Sequence, residues 1–172
     1  MGNGVNKLFA RALPANARCD ENVQRIRSLF IPYYNLHNAD CSCPYPGIVE
    51  LLEDLQVHGV KIAVASNKYH EATMKLVLHF FPGIHFAAIF GQRENVPIKP
   101  APDIVYDILR QTGVCAEQTL YVGDSGVDML TASNAGIESA GVTWGFRGED
   151  ELREHGAMHI VHCAEELLHF IE

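Results

Sequence analysis

At 172 residues, with 48% hydrophobic and 20% charged side chains, the chain has the size of one globular domain, or of one domain with a small attachment. Its formal net charge of −8, with only 13 scattered basic residues, excludes the clustered Lys and Arg that a phosphate backbone rewards, so no nucleic-acid partner is expected. No apolar run reaches the ~18 residues of a membrane span, and five cysteines behind no basic-then-apolar leader point to free thiols in the cytoplasm.

In chain order, Gly2-Asn3-Gly4 follows no strand and so makes no dinucleotide-binding loop; its expected place is the substrate entrance. Residues 4–13 and 19–37 carry apolar positions at helical spacing, among them Val23, Ile26 and Phe30, which predicts two helices broken near Pro14, with Pro32 a second candidate break. The stretch NADCSCPYPG, 38–47, is the one shift in composition and reads as a linker. Beyond it the rhythm alternates. Residues 47–59 form a helix closed by a glycine, and VKIAVAS (60–66) is a short β-branched run, as for a strand buried on both faces. A helix over 68–80, a strand over 86–90 and a helix from Pro100 to Gln111 follow. The strand TLYVGD (119–124), a helix over 127–135, the strand AGVTWGF (140–146), a short helix near 149–155, a strand at 158–161 and a helix from 164 complete the chain. Such alternation predicts βαβ units, a parallel sheet and helices on both faces, with ligands at the carboxyl ends of the strands.

At those ends stand three groups of polar residues. Ser66 and Asn67 are suited to capping a helix and equally to donating to a phosphate held at its N-terminus. Lys99, between prolines in IKPAPD, reads as a solvated charge or as a point charge with a fixed approach to phosphate. Asp124 and Asp128 lie one helical turn apart after Gly123; the two carboxylates read as helix-start acids, or as a mutually repelling pair relieved by a divalent cation, magnesium being the natural choice. The order of the three groups on successive strand ends favours one site.

The segments VASNK, KPAPD, YVGDSGVDMLTASNAG and GVTWGF resemble the haloacid dehalogenase superfamily of phosphohydrolases, most closely its phosphoglycolate phosphatase-like branch, over essentially the whole chain. The resemblance implies a Rossmann-like α/β core and a magnesium-dependent phosphatase of small phosphate monoesters such as 2-phosphoglycolate. It also implies roles: Ser66 and Asn67 hold the transferring phosphoryl, Lys99 neutralises phosphate and nucleophile, Asp124 ligates magnesium and Asp128 supports the metal's shell. The family's nucleophile is the first aspartate of an opening DxDGT motif, attacked phosphorus giving an aspartyl-phosphate that water then breaks down.

None of the eight aspartates lies two positions from another, so that motif is not among these residues. Residues 1–40 are accordingly expected to be a partial helical cap and 41–172 a core lacking its first, central strand. Edges left open by that strand predict a chain that is poorly stable alone or that closes the gap by rearrangement or self-association. Two alternatives stand beside the phosphatase: a non-catalytic remnant that binds phosphate or a partner, and a sugar phosphomutase. Among the remaining residues, Cys41 and Cys43 with His37 have the wrong spacing for a zinc finger, Trp144 and Phe146 read as packing, and Arg147 as a surface ion pair.

Overall fold

The computed structural model describes residues 5–171; Gly2-Asn3-Gly4, expected at the substrate entrance, lies outside them. Helices α1 (Val5–Ala12) and α2 (Asp20–His37) pack together through aromatic contacts, Phe9 edge-on to Phe30 at 5.1 Å between centroids and Phe30 stacked on Tyr34 at 5.2 Å. These contacts flank Pro32, and α2 runs through it: the lost N–H removes one helical bond, and the packing on either side holds the helix together. Pro14 does separate the two helices, at a short 3₁₀ turn over Ala15–Ala17.

The remaining elements are α3 (Ile48–Val57), β1 (Ile62–Tyr69), α4 (His70–Phe80), β2 (Phe86–Gln92), α5 (Asp103–Thr112), β3 (Leu120–Gly123), α6 (Gly126–Ala135), β4 (Glu138–Val142), α7 (Glu149–Glu154) and β5 (His159–Val161). A 3₁₀ helix over Ala164–Phe170 replaces the expected closing α-helix. Helices α5 and α6 both end on glycines in the left-handed region, Gly113 (φ 67°) and Gly136 (φ 70°), where a side chain would be strained. Helix α5 starts at Asp103, three residues later than Pro100, because Ile98–Ala101 closes a turn first, Ala101 N–H donating to the Ile98 carbonyl at 3.0 Å.

All pairings are parallel, as alternation predicts, but they fall into two sheets, β1–β2 and β3–β4–β5, where one was expected. One core joins α3, β4, β5 and the last 3₁₀ helix through Leu51, Ala140, Val142, Val161, Ala164 and Leu167. A second gathers Ile104 and Val105 of α5, Tyr121 of β3 and Ala132 and Ala135 of α6, with Ala65 of β1 and Phe90 of β2 packed against it. This second core spans the break between the sheets. Beside the break, β1 and β3 each pair on one side only, and Val122 of β3 is 43% exposed in a strand of otherwise apolar character. No helix of the described residues is long and apolar enough to cross a membrane.

Candidate active site

The carboxyl ends of β1 and β3 open on the same side of the break, and the loop before α5 bridges them. Asn67, near the end of β1, grips that loop with its side-chain amide: Oδ1 accepts from the Lys99 backbone N–H at 2.9 Å and Nδ2 donates to the Lys99 carbonyl at 3.1 Å. Lys99 is thereby aimed across the break. Its ammonium donates to the Ala65 carbonyl of β1 at 3.0 Å and to Asp128 Oδ1 on α6 at 2.7 Å. The Tyr121 hydroxyl also bonds to this ammonium, so its three N–H donors all have partners.

The Lys99 and Asp128 side chains are only 11% and 10% exposed, and a buried ion pair of this kind is costly to break from one side. Burial alone would push the Lys99 ammonium down, but the interactions with Tyr121 and Asp128 outweigh it and hold its pKa above the ordinary 10.5. Burial pushes the Tyr121 phenol up to about 12, with Lys99 drawing it back only in part. At neutral pH the site therefore holds a charged lysine and a neutral tyrosine, whose hydroxyl donates weakly to Asp128 Oδ1 at 3.4 Å. Ser125 Oγ donates to Asp128 Oδ2 at 2.6 Å, so both oxygens of that carboxylate are engaged.

Asp124, just past β3, is held differently. Its Oδ2 accepts from the Phe146 backbone N–H at 3.0 Å, and Gly145 lies so close that any Cβ there would overlap the Asp124 side chain. Its Oδ1 has no hydrogen-bond partner among the described residues. At β1, Ser66 Oγ accepts from the Lys68 backbone N–H at 3.1 Å, leaving the hydroxyl hydrogen for another acceptor.

Sequence-expected residues therefore meet here, with two changes of detail. The repulsion expected between Asp124 and Asp128 is already relieved at Asp128 by Lys99. The Asn67 side chain, expected on phosphate, holds the Lys99 backbone. Tyr121, Ser125 and Gly145 were missed. Tyr121 had a signal, a polar-tipped aromatic inside an apolar strand; Gly145 had none, because its role depends on where the loop after β4 folds. That loop also corrects the expected strand over 140–146: β4 ends at Val142, Trp144 packs on the first core, and Phe146 is 78% exposed. Arg147 does form the expected surface ion pair, with Glu151 at 3.6 Å.

Elsewhere, His37 Nδ1 meets Asp40 Oδ2 at 2.7 Å, and the five cysteines are free and exposed. No group of three or more His, Cys, Asp or Glu is placed to hold a metal ion among the described residues. Magnesium asks for less: one or two carboxylate oxygens, waters and a substrate phosphate. Asp124, with an unengaged oxygen at the mouth of the site, fits a direct ligand; Asp128, fully engaged, fits a supporting role.

Residues 4–142 match the haloacid dehalogenase-like hydrolase family. The phosphoglycolate phosphatases of Mesorhizobium japonicum and Pasteurella multocida are each 32% identical to the chain, over 85% of its length and 65% and 68% of theirs. The chain thus spans about two thirds of the length of these curated relatives. The crystal structure of a candidate phosphoglycolate phosphatase from Lactobacillus delbrueckii subsp. bulgaricus superposes with a TM-score of 0.90 at 35% identity, covering 99% of this chain and 80% of that one. The family match over residues 4–142 and these relatives establish that the chain belongs to the haloacid dehalogenase-like hydrolases.

Proposed function

We propose that this chain forms the phosphate- and magnesium-binding part of a cytoplasmic phosphatase for small phosphate monoesters such as 2-phosphoglycolate. Its nucleophile is an aspartate of a DxDGT-type segment that is not among these residues. The carrying observation is Lys99, whose buried ammonium spans the break from Ala65 of β1 to Asp128 of α6. A parallel strand entering between the open edges of β1 and β3 would end beside it, and its terminal carboxylate would face Ser66 and Asp124. In this reading residues 1–40 are part of a cap and 41–172 are the core.

Each side chain then has a task. The Ser66 hydroxyl donates to an oxygen of the transferring phosphoryl, and the Lys99 ammonium offsets its negative charge. Asn67 positions Lys99 through its backbone, and Asp128 keeps the ammonium in place. The incoming carboxylate oxygen bonds to phosphorus as the bond to the leaving oxygen breaks; water then attacks the aspartyl-phosphate, releasing phosphate and restoring the carboxylate. Magnesium would be held by Asp124, with Asp128 in a supporting role, and would supply positive charge against the phosphoryl oxygens. The lack of any DxD pair in these residues supports a second reading, a protein that grips an anion without turnover.

The deciding experiment is phosphate release from 2-phosphoglycolate by the gene product read from its upstream in-frame coding sequence. Magnesium-dependent release abolished by a chelator is expected. Anion binding with no release under any metal would overturn the enzyme in favour of the binding protein.

A further inference from the structure

The phosphatase reading leaves one cation at the site without a task. Of the basic side chains at the carboxyl ends of the strands, Lys99 is matched by Asp128, Arg93 by Asp107 and Arg147 by Glu151. Lys68 alone among them has no carboxylate partner in the described residues.

Lys68 sits two residues past Ser66, and its own N–H bonds Ser66 Oγ at 3.1 Å, so its place relative to the phosphoryl-holding hydroxyl is fixed. Its side chain departs from the Lys99–Asp128 pair and reaches the cap. The ammonium hydrogen-bonds the Tyr34 hydroxyl of α2 and lies 4.6 Å from the centroid of that ring. A neutral phenol solvates an ammonium but does not neutralise it. The adjoining residue, Tyr69, has a buried hydroxyl with no hydrogen-bond partner; burial, Tyr34 and the Glu71 carboxylate all oppose its ionisation. Lys75, donating to the Asn35 carbonyl at 3.1 Å, ties the same end of α2 to the core. One uncompensated ammonium and two phenol donors, one of them unsatisfied, thus collect between cap and core. Such a group is complementary to a carboxylate, which accepts several hydrogen bonds and carries the missing charge.

We propose that Lys68 selects the leaving group: its ammonium binds the carboxylate of a phosphorylated small acid, at the place the Tyr34 hydroxyl holds in this structure. The assignment rests on the phosphatase reading and names the side chain that would tell a monoester whose alcohol bears an acid from one whose alcohol does not.

The test compares 2-phosphoglycolate with 2-hydroxyethyl phosphate, which has the same skeleton without the carboxylate, using the gene product with its upstream sequence. Lys68→Met should lower kcat/KM for 2-phosphoglycolate about 10- to 100-fold, chiefly through KM, as expected for losing a charged hydrogen bond. The loss with 2-hydroxyethyl phosphate should stay below about threefold, and Lys68→Arg should restore part of the preference. Equal losses with both esters, or an unchanged preference, would overturn the assignment. A Lys68-dependent preference for pyrophosphate over 2-phosphoglycolate would also overturn it, by making the recognised anion a second phosphate. If neither ester is hydrolysed, the phosphatase reading fails and binding decides the subsite alone. By calorimetric titration of the 172-residue chain, 2-phosphoglycolate should bind more tightly than 2-hydroxyethyl phosphate, and Lys68→Met should erase the difference. A difference that survives the substitution refutes the role.

Discussion

Around β3, β4 and β5, Met129, Thr131, Ala140 and Leu152 are fully buried, whereas along β1 only Ile62 is buried and the neighbouring Ala63 is exposed. Yet β1 opens on an apolar, β-branched run of the kind that is normally covered on both faces. One half of the molecule has its covering in place; the other has the sequence for it without all of the contacts. Lys99, Asn67 and the second core hold the halves together, and the proposed chemistry lies along the same line.

Variants can sharpen that contrast. The largest effect is expected at the junction. Asp124→Asn in the gene product with its upstream sequence should reduce phosphate release at least about 1000-fold, the scale of losing charge stabilisation by a bound metal, and should remove the magnesium dependence. Steady-state rates over a magnesium series check this; unchanged turnover and metal affinity would remove Asp124 from the site.

Next comes the ion pair. Lys99→Met leaves Asp128 buried and uncompensated, which should cost about 3–5 kcal/mol in urea unfolding, and adding Asp128→Asn should recover much of it. A single-variant loss below about 1 kcal/mol would mean that Lys99 does not join the halves.

Within the halves, Leu152→Ala should destabilise by about 2–5 kcal/mol, as for a fully buried leucine, and Val64→Ala, in half-buried β1, by about 1 kcal/mol. Equal costs would contradict the difference in covering. The smallest effect at neutral pH is alkaline. Tyr121 and Lys99 both hold their protons more tightly folded than unfolded, so their stabilisation is complete below pH 10, the ordinary tyrosine value, and is lost as pH rises toward about 12. Tyr121→Phe should flatten the fall in thermal midpoint above pH 10, and ultraviolet titration should find Tyr121 among the last phenols to ionise.

Much of this was legible in the sequence, because strand ends and helix starts carry local signals. The glycine of VGDSGVD, the prolines around Lys99 and the alternation of apolar runs placed Ser66, Lys99, Asp124 and Asp128 at one end of a parallel fold. What stayed hidden depends on long-range packing. The Asn67 amide had no local reason to choose the backbone of a residue 32 positions away. Phe146 reads as core from its composition, but the loop that presents its N–H to Asp124 leaves its ring outside. Pro32 looked like a break because the aromatic contacts that keep α2 whole come partly from α1. The division into two sheets is a property of which strands meet, and no single strand encodes it.

The most direct test of the central claim is the same magnesium-dependent assay with 2-phosphoglycolate, run side by side on the 172-residue chain and on the form carrying its upstream coding sequence. Turnover by the extended form alone is the expected result, with the difference assigned to the aspartate on the added strand. Turnover by the 172-residue chain would contradict it, because a carboxylate within these residues would then be the nucleophile.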